Sequence, residues 1–139
     1  MEKNIETIKN ILDVFFKNCN VYDANIDIKS YDSDSKLIIN ISLSTPASIF
    51  IGRFGSNLEA FENILTDVAN LNNQTEKRCR VEFDINGYHL NRQKELQELA
   101  KKTAQRVMIF KTAVKLEPMS ARDRKTIHNE ISLYPDLHS

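Results

Sequence analysis

Glycine is scarce in this chain, with three among 139 residues. Two of them stand three apart, in Gly52-Arg53-Phe54-Gly55. An apolar stretch, Ser48-Ile49-Phe50-Ile51, leads in. Ser56-Asn57-Leu58-Glu59 leads out, and its Ser-x-x-Glu spacing predicts a capping box at the start of a helix. Glycine tolerates backbone conformations closed to other residues and leaves bare backbone for a ligand to approach. A helix N-terminus adds free N–H groups and the positive end of a dipole. Together these features suit a phosphate. A plain tight turn between two helices is the competing reading of the same four residues.

The length suits one ordinary domain or two very small ones. An apolar fraction of 41% supports a packed core, and no apolar run approaches a membrane span. The N-terminal residues start an amphipathic pattern without a signal-peptide core, which predicts a cytoplasmic protein with no membrane insertion. Cys19 and Cys79 form no C-x-x-C, and His89, His128 and His138 show no ligand spacing, so no metal or other cofactor is expected. Cys79 sits in an apolar alternation and reads as a buried thiol. No nucleophile elbow, deaminase pattern or P-loop is present, and no enzymatic activity is expected. Net charge is zero but unevenly placed. Residues 1–86 carry nine Lys and Arg against thirteen Asp and Glu, whereas residues 87–139 carry ten against six. A basic C-terminal part suits a polyanion; a dipolar surface with no such partner explains it as well.

Apolar periodicity divides the chain into elements. Ile5, Ile8, Ile11, Leu12, Phe15 and Phe16 predict a helix over 3–18. Two alternating stretches follow, Ala24/Ile26/Ile28 and Leu37/Ile39/Ile41/Leu43, with Asp32–Ser35 as a solvated hairpin loop. A short helical or turn segment from Thr45-Pro46 runs into the glycine loop. Leu58, Phe61, Leu65 and Val68 mark a helix over 56–70. Asn70, Asn72, Asn73 and Gln74 make a polar connection to a strand with Cys79, Val81, Phe83 and Ile85 on one face. After the Asn86-Gly87 turn, Leu96, Leu99, Ala100, Thr103, Val107 and Phe110 predict a helix over 90–110. Ala113–Glu117 is a strand candidate, stopped by Pro118. Ser120 with Asp123 caps a last helix over 121–132, with Ile127 and Ile131 facing the core. Helices over one face of a three-stranded sheet bury these stripes.

The order helix, strand, strand, helix, GxxG loop, helix, strand over residues 1–86 resembles a type II KH domain. Residues 87–139 resemble an R-3-H domain, named for the pair seen here as Arg124-Lys125-Thr126-Ile127-His128, after Leu116-Glu117-Pro118-Met119. The stretch Asp84-Ile85-Asn86-Gly87-Tyr88 joins them, and the whole is similar to the bacterial Jag family of SpoIIIJ-associated RNA-binding proteins. The resemblance implies an α+β fold, a KH type II three-stranded sheet with helices on one face followed by a small α/β R-3-H module. It implies a non-catalytic protein that binds single-stranded RNA, or single-stranded DNA, in post-transcriptional regulation linked to the cell envelope, with a second small KH protein as partner. In a KH module the GxxG loop clamps the nucleic-acid backbone. Three departures stand out. Phe54 replaces a residue that is usually basic or polar, and by the resemblance the chain is expected to lack the last strand of the R-3-H module and the N-terminal domain of many Jag members.

The residues expected to touch RNA are Gly52, Arg53, Phe54, Gly55 and Ser56 at the loop, and Arg122, Arg124, Lys125 and His128 on the last helix. Arg53 reads as a phosphate-facing cation. Phe54 is open to three readings: a ring stacked on a base, an anchor in the core, or a contact for a protein partner. Arg124 and His128, four apart, share one helix face. An Arg fork fits phosphate oxygens, and a His ring can stack or donate a hydrogen bond. The rival reading of the whole chain is a protein-interaction adaptor, or an accessory subunit, with weak RNA binding or none.

Overall fold

The computed structural model describes residues 2–71 and 77–139. Asn72, Asn73 and Gln74 of the predicted polar connection lie outside the described residues. The chain folds as two compact units, Met1–Tyr88 and His89–Ser139.

The first unit contains helix α1 (Glu2–Asn18), strands β1 (Asn25–Tyr31) and β2 (Lys36–Ser42), short helix α2 (Ser48–Ile51), helix α3 (Ser56–Ala69) and strand β3 (Arg80–Ile85). A 3-10 turn, Asp32–Asp34, links β1 and β2 where the sequence predicts a solvated loop. The sheet order is β1-β2-β3, with β1 antiparallel and β3 parallel to the central strand. Alternation puts Leu37, Ile39 and Ile41 of β2 beside Val81, Phe83 and Ile85 of β3 on one face. Ile8, Leu12 and Phe16 of α1 and Leu58, Leu65 and Ala69 of α3 complete the same buried core. On the other face of the two strands Lys36 pairs with Glu82 at 2.9 Å.

Phenylalanine organises the core next to the glycine loop. Phe15 meets Phe16, Phe50 and Phe61 edge-on, with ring centroids 5.3, 6.0 and 5.0 Å apart. Phe50 meets Phe16 at 5.3 Å, and Phe61 reaches Phe83 at 5.1 Å. Each such pair adds about 0.5–1.5 kcal/mol beyond area burial. Phe50 belongs to α2, directly before Gly52, so the cluster anchors the near side of the loop.

Side chains satisfy the outer edge of β3. The backbone N–H groups of Cys79, Val81 and Phe83 donate to Asn70 Oδ1 (2.8 Å), Thr66 Oγ1 (3.3 Å) and Glu62 Oε2 (3.3 Å). Ile85 N–H donates to Asp84 Oδ1 at 2.9 Å. Glu62 and Thr66 on α3 and Asn70, its C-cap, are spaced four apart, so one stripe follows the two-residue step of a strand. This is how an edge strand is kept from pairing with another chain. Asn86 works similarly at the end of β2, accepting from Leu43 N–H at 2.9 Å and donating to its carbonyl at 3.1 Å.

The second unit is built on α4 (Tyr88–Phe110) and α5 (Ala121–Ile131). Leu96, Ala100 and Ala104 pack against Ile127 and Ile131. Here the helical stripe differs from expectation, because Leu99 and Phe110 are exposed and the small Ala104 takes the buried place. Residues 113–117 form no strand either. They have no ladder partner among the described residues, and Leu116 is set against the helical core. Among the described residues no helix is long and apolar enough to cross a membrane.

Candidate nucleic-acid interface

The loop between α2 and α3 is built from backbone conformations that its glycines make accessible. Gly52 sits at φ 74°, ψ 174°, and Gly55 at φ 78°, ψ 17°. A Cβ on Gly52 would lie 2.7 Å from the Asn57 and Ser56 side chains and 2.8 Å from the Asn57 backbone nitrogen. A Cβ on Gly55 would lie 2.9 Å from Tyr88 Cε1. The loop is thus folded tightly onto the start of α3 in front and Tyr88 behind. Asn57 Nδ2 donates to the Ile49 carbonyl at 2.7 Å and ties α2 to α3.

The predicted capping box at Ser56 and Glu59 does not form. Gly55 is the N-cap, no side chain caps the helix, and Ser56 is already helical and exposed. The physical reason is the left-handed Gly55, which turns the chain so sharply that Ser56 enters the first turn. The consequence is that no side-chain oxygen caps the first N–H groups of α3, as a backbone-led anion site requires.

Arg53 and Phe54 form the exposed tip. The Arg53 guanidinium carbon lies 5.3 Å from the centroid of the Phe54 ring, within cation–π range. Phe54 is 43% exposed and stands outside the core cluster. It also adopts a left-handed backbone, φ 54°, ψ 31°. On the approach to the loop, Ser44 N–H donates to the Asp23 carboxylate at 2.7 Å, and Thr45 Oγ1 donates at 3.1 Å. The Ser44 N–H, the largest influence, holds the Asp23 carboxyl below its ordinary range.

On the second unit, Arg122, Arg124, Lys125 and His128 are all exposed on α5. Arg122 Nη1 donates to His89 Nε2 at 2.9 Å. Arg124 and His128 line one open cleft of 430 Å³ with Leu116, Pro118, Met119 and Ile127, and the carboxylate residue Glu117 lines it too. An apolar floor beside a guanidinium and an imidazole can take a flat ring and an anionic group together. His128 Nδ1 is hydrogen-bonded to Ser139 Oγ.

A buried ion pair fixes the presentation of α5. Arg92 Nε and Nη2 both donate to Asp123 Oδ2, at 3.1 and 3.0 Å. Asp123 is 6% exposed at its side chain and Arg92 19%. Ser120 Oγ accepts from Asp123 N–H at 3.2 Å, so the predicted N-cap forms. Asp123 turns its carboxylate to Arg92. In the sequence Arg92 is one of several dispersed cations; its spacing of four from buried Leu96 is the signal that could have found it.

A family model described as the R-3-H domain matches residues 94–139. The RNA-binding protein KhpB of Bacillus subtilis (strain 168) is 39% identical over 88 residues, which is 63% of this chain and 41% of that protein. The RNA-binding protein KhpB of Clostridium symbiosum is 27% identical over 128 residues, 91% of this chain and 54% of that protein. The chain therefore spans about half, or less, of the relatives it matches. It has an R-3-H domain at its C-terminal end and is homologous, over much of its length, to the KhpB (Jag) proteins.

Proposed function

We propose that this chain binds single-stranded RNA without catalysing a reaction on it. The first unit acts as a KH-type clamp. Gly52, half-buried, and Gly55, buried, fold the loop onto the uncapped start of α3, and Arg53 and Ser56 stand exposed beside it. The observation that carries the reading is this uncapped, glycine-bounded helix start in a homologue of proteins named for RNA binding. Arg122, Arg124, Lys125 and His128 supply the second contact. Because one chain carries both, the second contact is intramolecular once the first is made, and two weak sites add up to useful affinity. A regulatory role in a bacterial cytoplasm, with a second small KH protein as partner, fits the same family.

The test is fluorescence anisotropy of a labelled single-stranded RNA pool at several salt concentrations. Replacing Gly52 would disturb the fold, so the loop is challenged through its exposed residues with Arg53→Glu and Ser56→Glu. The helix is challenged with Arg124→Ala and His128→Ala. Parent binding should weaken steeply with salt, and each lost phosphate contact should reduce the slope by about 0.7. Binding unchanged in both sets would remove RNA from these surfaces. A parent chain with no salt-sensitive binding would favour the adaptor reading.

A further inference from the structure

We infer that Phe54 is a base-stacking platform, so that the loop selects an unpaired base beside the phosphate it clamps. The inference rests on the RNA-binding reading above and assigns the one loop residue whose role the sequence leaves open. A bulky residue at positive φ is costly, and glycine or asparagine would take φ 54° with less strain. The ring is 43% exposed and lies outside the core that Phe50 and Phe61 share. An aromatic face at the tip of a phosphate-binding loop has a clear use. Every base has a π-face, and stacking on an aromatic side chain is sequence-tolerant.

Arg53 fits the same use. Its guanidinium already lies over the ring at 5.3 Å, so cation and π-face form one unit. The ring takes the base, and the cation pairs with the adjoining phosphate. A duplex, whose bases are stacked and paired, offers the backbone but not the face. Phe54 therefore sets a preference for single strands over duplex, and Arg53 with the glycine backbone sets the salt-dependent affinity.

The chain has no tryptophan, so Phe54→Trp places a single reporter at the tip. Its fluorescence should be quenched by single-stranded RNA and much less by an abasic strand of equal length or by duplex. Phe54→Leu keeps an apolar side chain at the same backbone position and removes the ring. It should weaken binding to single-stranded RNA by about tenfold. Its salt slope and its binding to the abasic strand should stay at the parent values. Phe54→Leu binding single-stranded RNA like the parent, while Arg53→Glu with Ser56→Glu abolishes binding, would overturn the platform and leave the clamp standing. Equal losses on normal and abasic strands would overturn it too, by making Phe54 a scaffold for the loop. A parent chain that binds no RNA would overturn both readings together.

Discussion

Alanine at each of the three glycines should destabilise the first unit in a fixed order. All three have left-handed φ, between 68° and 78°, so each substitution incurs a backbone cost of about 1 kcal/mol. At Gly87 nothing lies within 4 Å of the added Cβ, and that cost is the whole effect. At Gly55 the Cβ meets Tyr88 Cε1 at 2.9 Å, and the ring must shift, giving about 2 kcal/mol. At Gly52 the combination of φ 74° and ψ 174° is open to little but glycine. The Cβ there meets the Asn57 backbone nitrogen at 2.8 Å, and Asn57 is held by Ile49. It cannot retreat, so about 3 kcal/mol is expected. Pulsed alkylation of Cys79 across a urea series reads this unit alone, because that thiol is buried in its core. Cys19→Ser removes the exposed competitor. With a urea slope of about 1 kcal/mol per molar, the midpoints should fall by about 1, 2 and 3 M for Gly87→Ala, Gly55→Ala and Gly52→Ala. Gly52→Ala no less stable than Gly87→Ala would refute the reasoning, since the tight fold of the loop onto α3 would then not exist in solution.

The Arg92–Asp123 pair should behave as one buried unit: either residue to Ala costs about 3 kcal/mol, while Arg92→Met with Asp123→Leu recovers most of it. A double-mutant cycle by thermal denaturation checks this, and simple additivity of the single changes would contradict it. The two thiols should separate in the folded protein, with iodoacetamide labelling the exposed Cys19 and sparing Cys79. Burial raises the Cys79 thiol above its ordinary value of 9.0, so its thiolate should stay scarce in the native chain as pH rises towards and past that value. Mass spectrometry of digests reads both sites, and rapid native labelling of Cys79 at neutral pH would contradict the packing.

Apolar period was legible because it answers to one cause. Helix α1, the two alternating strands and β3 each bury one face, and a stripe of matching period says which face. The glycine loop was legible for a different reason, since a chain with three glycines exposes the places where backbone geometry needs them. Reading failed where burial did not follow hydrophobicity. Leu99 and Phe110 look like core and are exposed, whereas Ala104 looks incidental and is fully buried. Ala104 packs in the cluster with Ile127 and Ile131, whereas periodicity alone ranks alanine below leucine. The strand predicted at 113–117 failed similarly, because β-prone residues extend the backbone but do not supply a strand to pair with.

The polar contacts were the least legible part, and they position both candidate surfaces. Glu62, Thr66 and Asn70 are ordinary surface residues by composition, yet together they close the edge of β3. Asn57 bonds the Ile49 carbonyl beside the glycine loop, and Asn86 bonds the Leu43 backbone at the end of β2. A side chain that hydrogen-bonds distant backbone leaves no periodic trace, because its partner is chosen by the fold. Ser56 shows the converse: its capping signature is present in the sequence, and the left-handed Gly55 overrides it. The helix start that the sequence predicts to be closed by its own side chain is therefore uncapped. In this chain the failure of a local rule and the candidate site coincide, as happens where a fold gives up local satisfaction for binding.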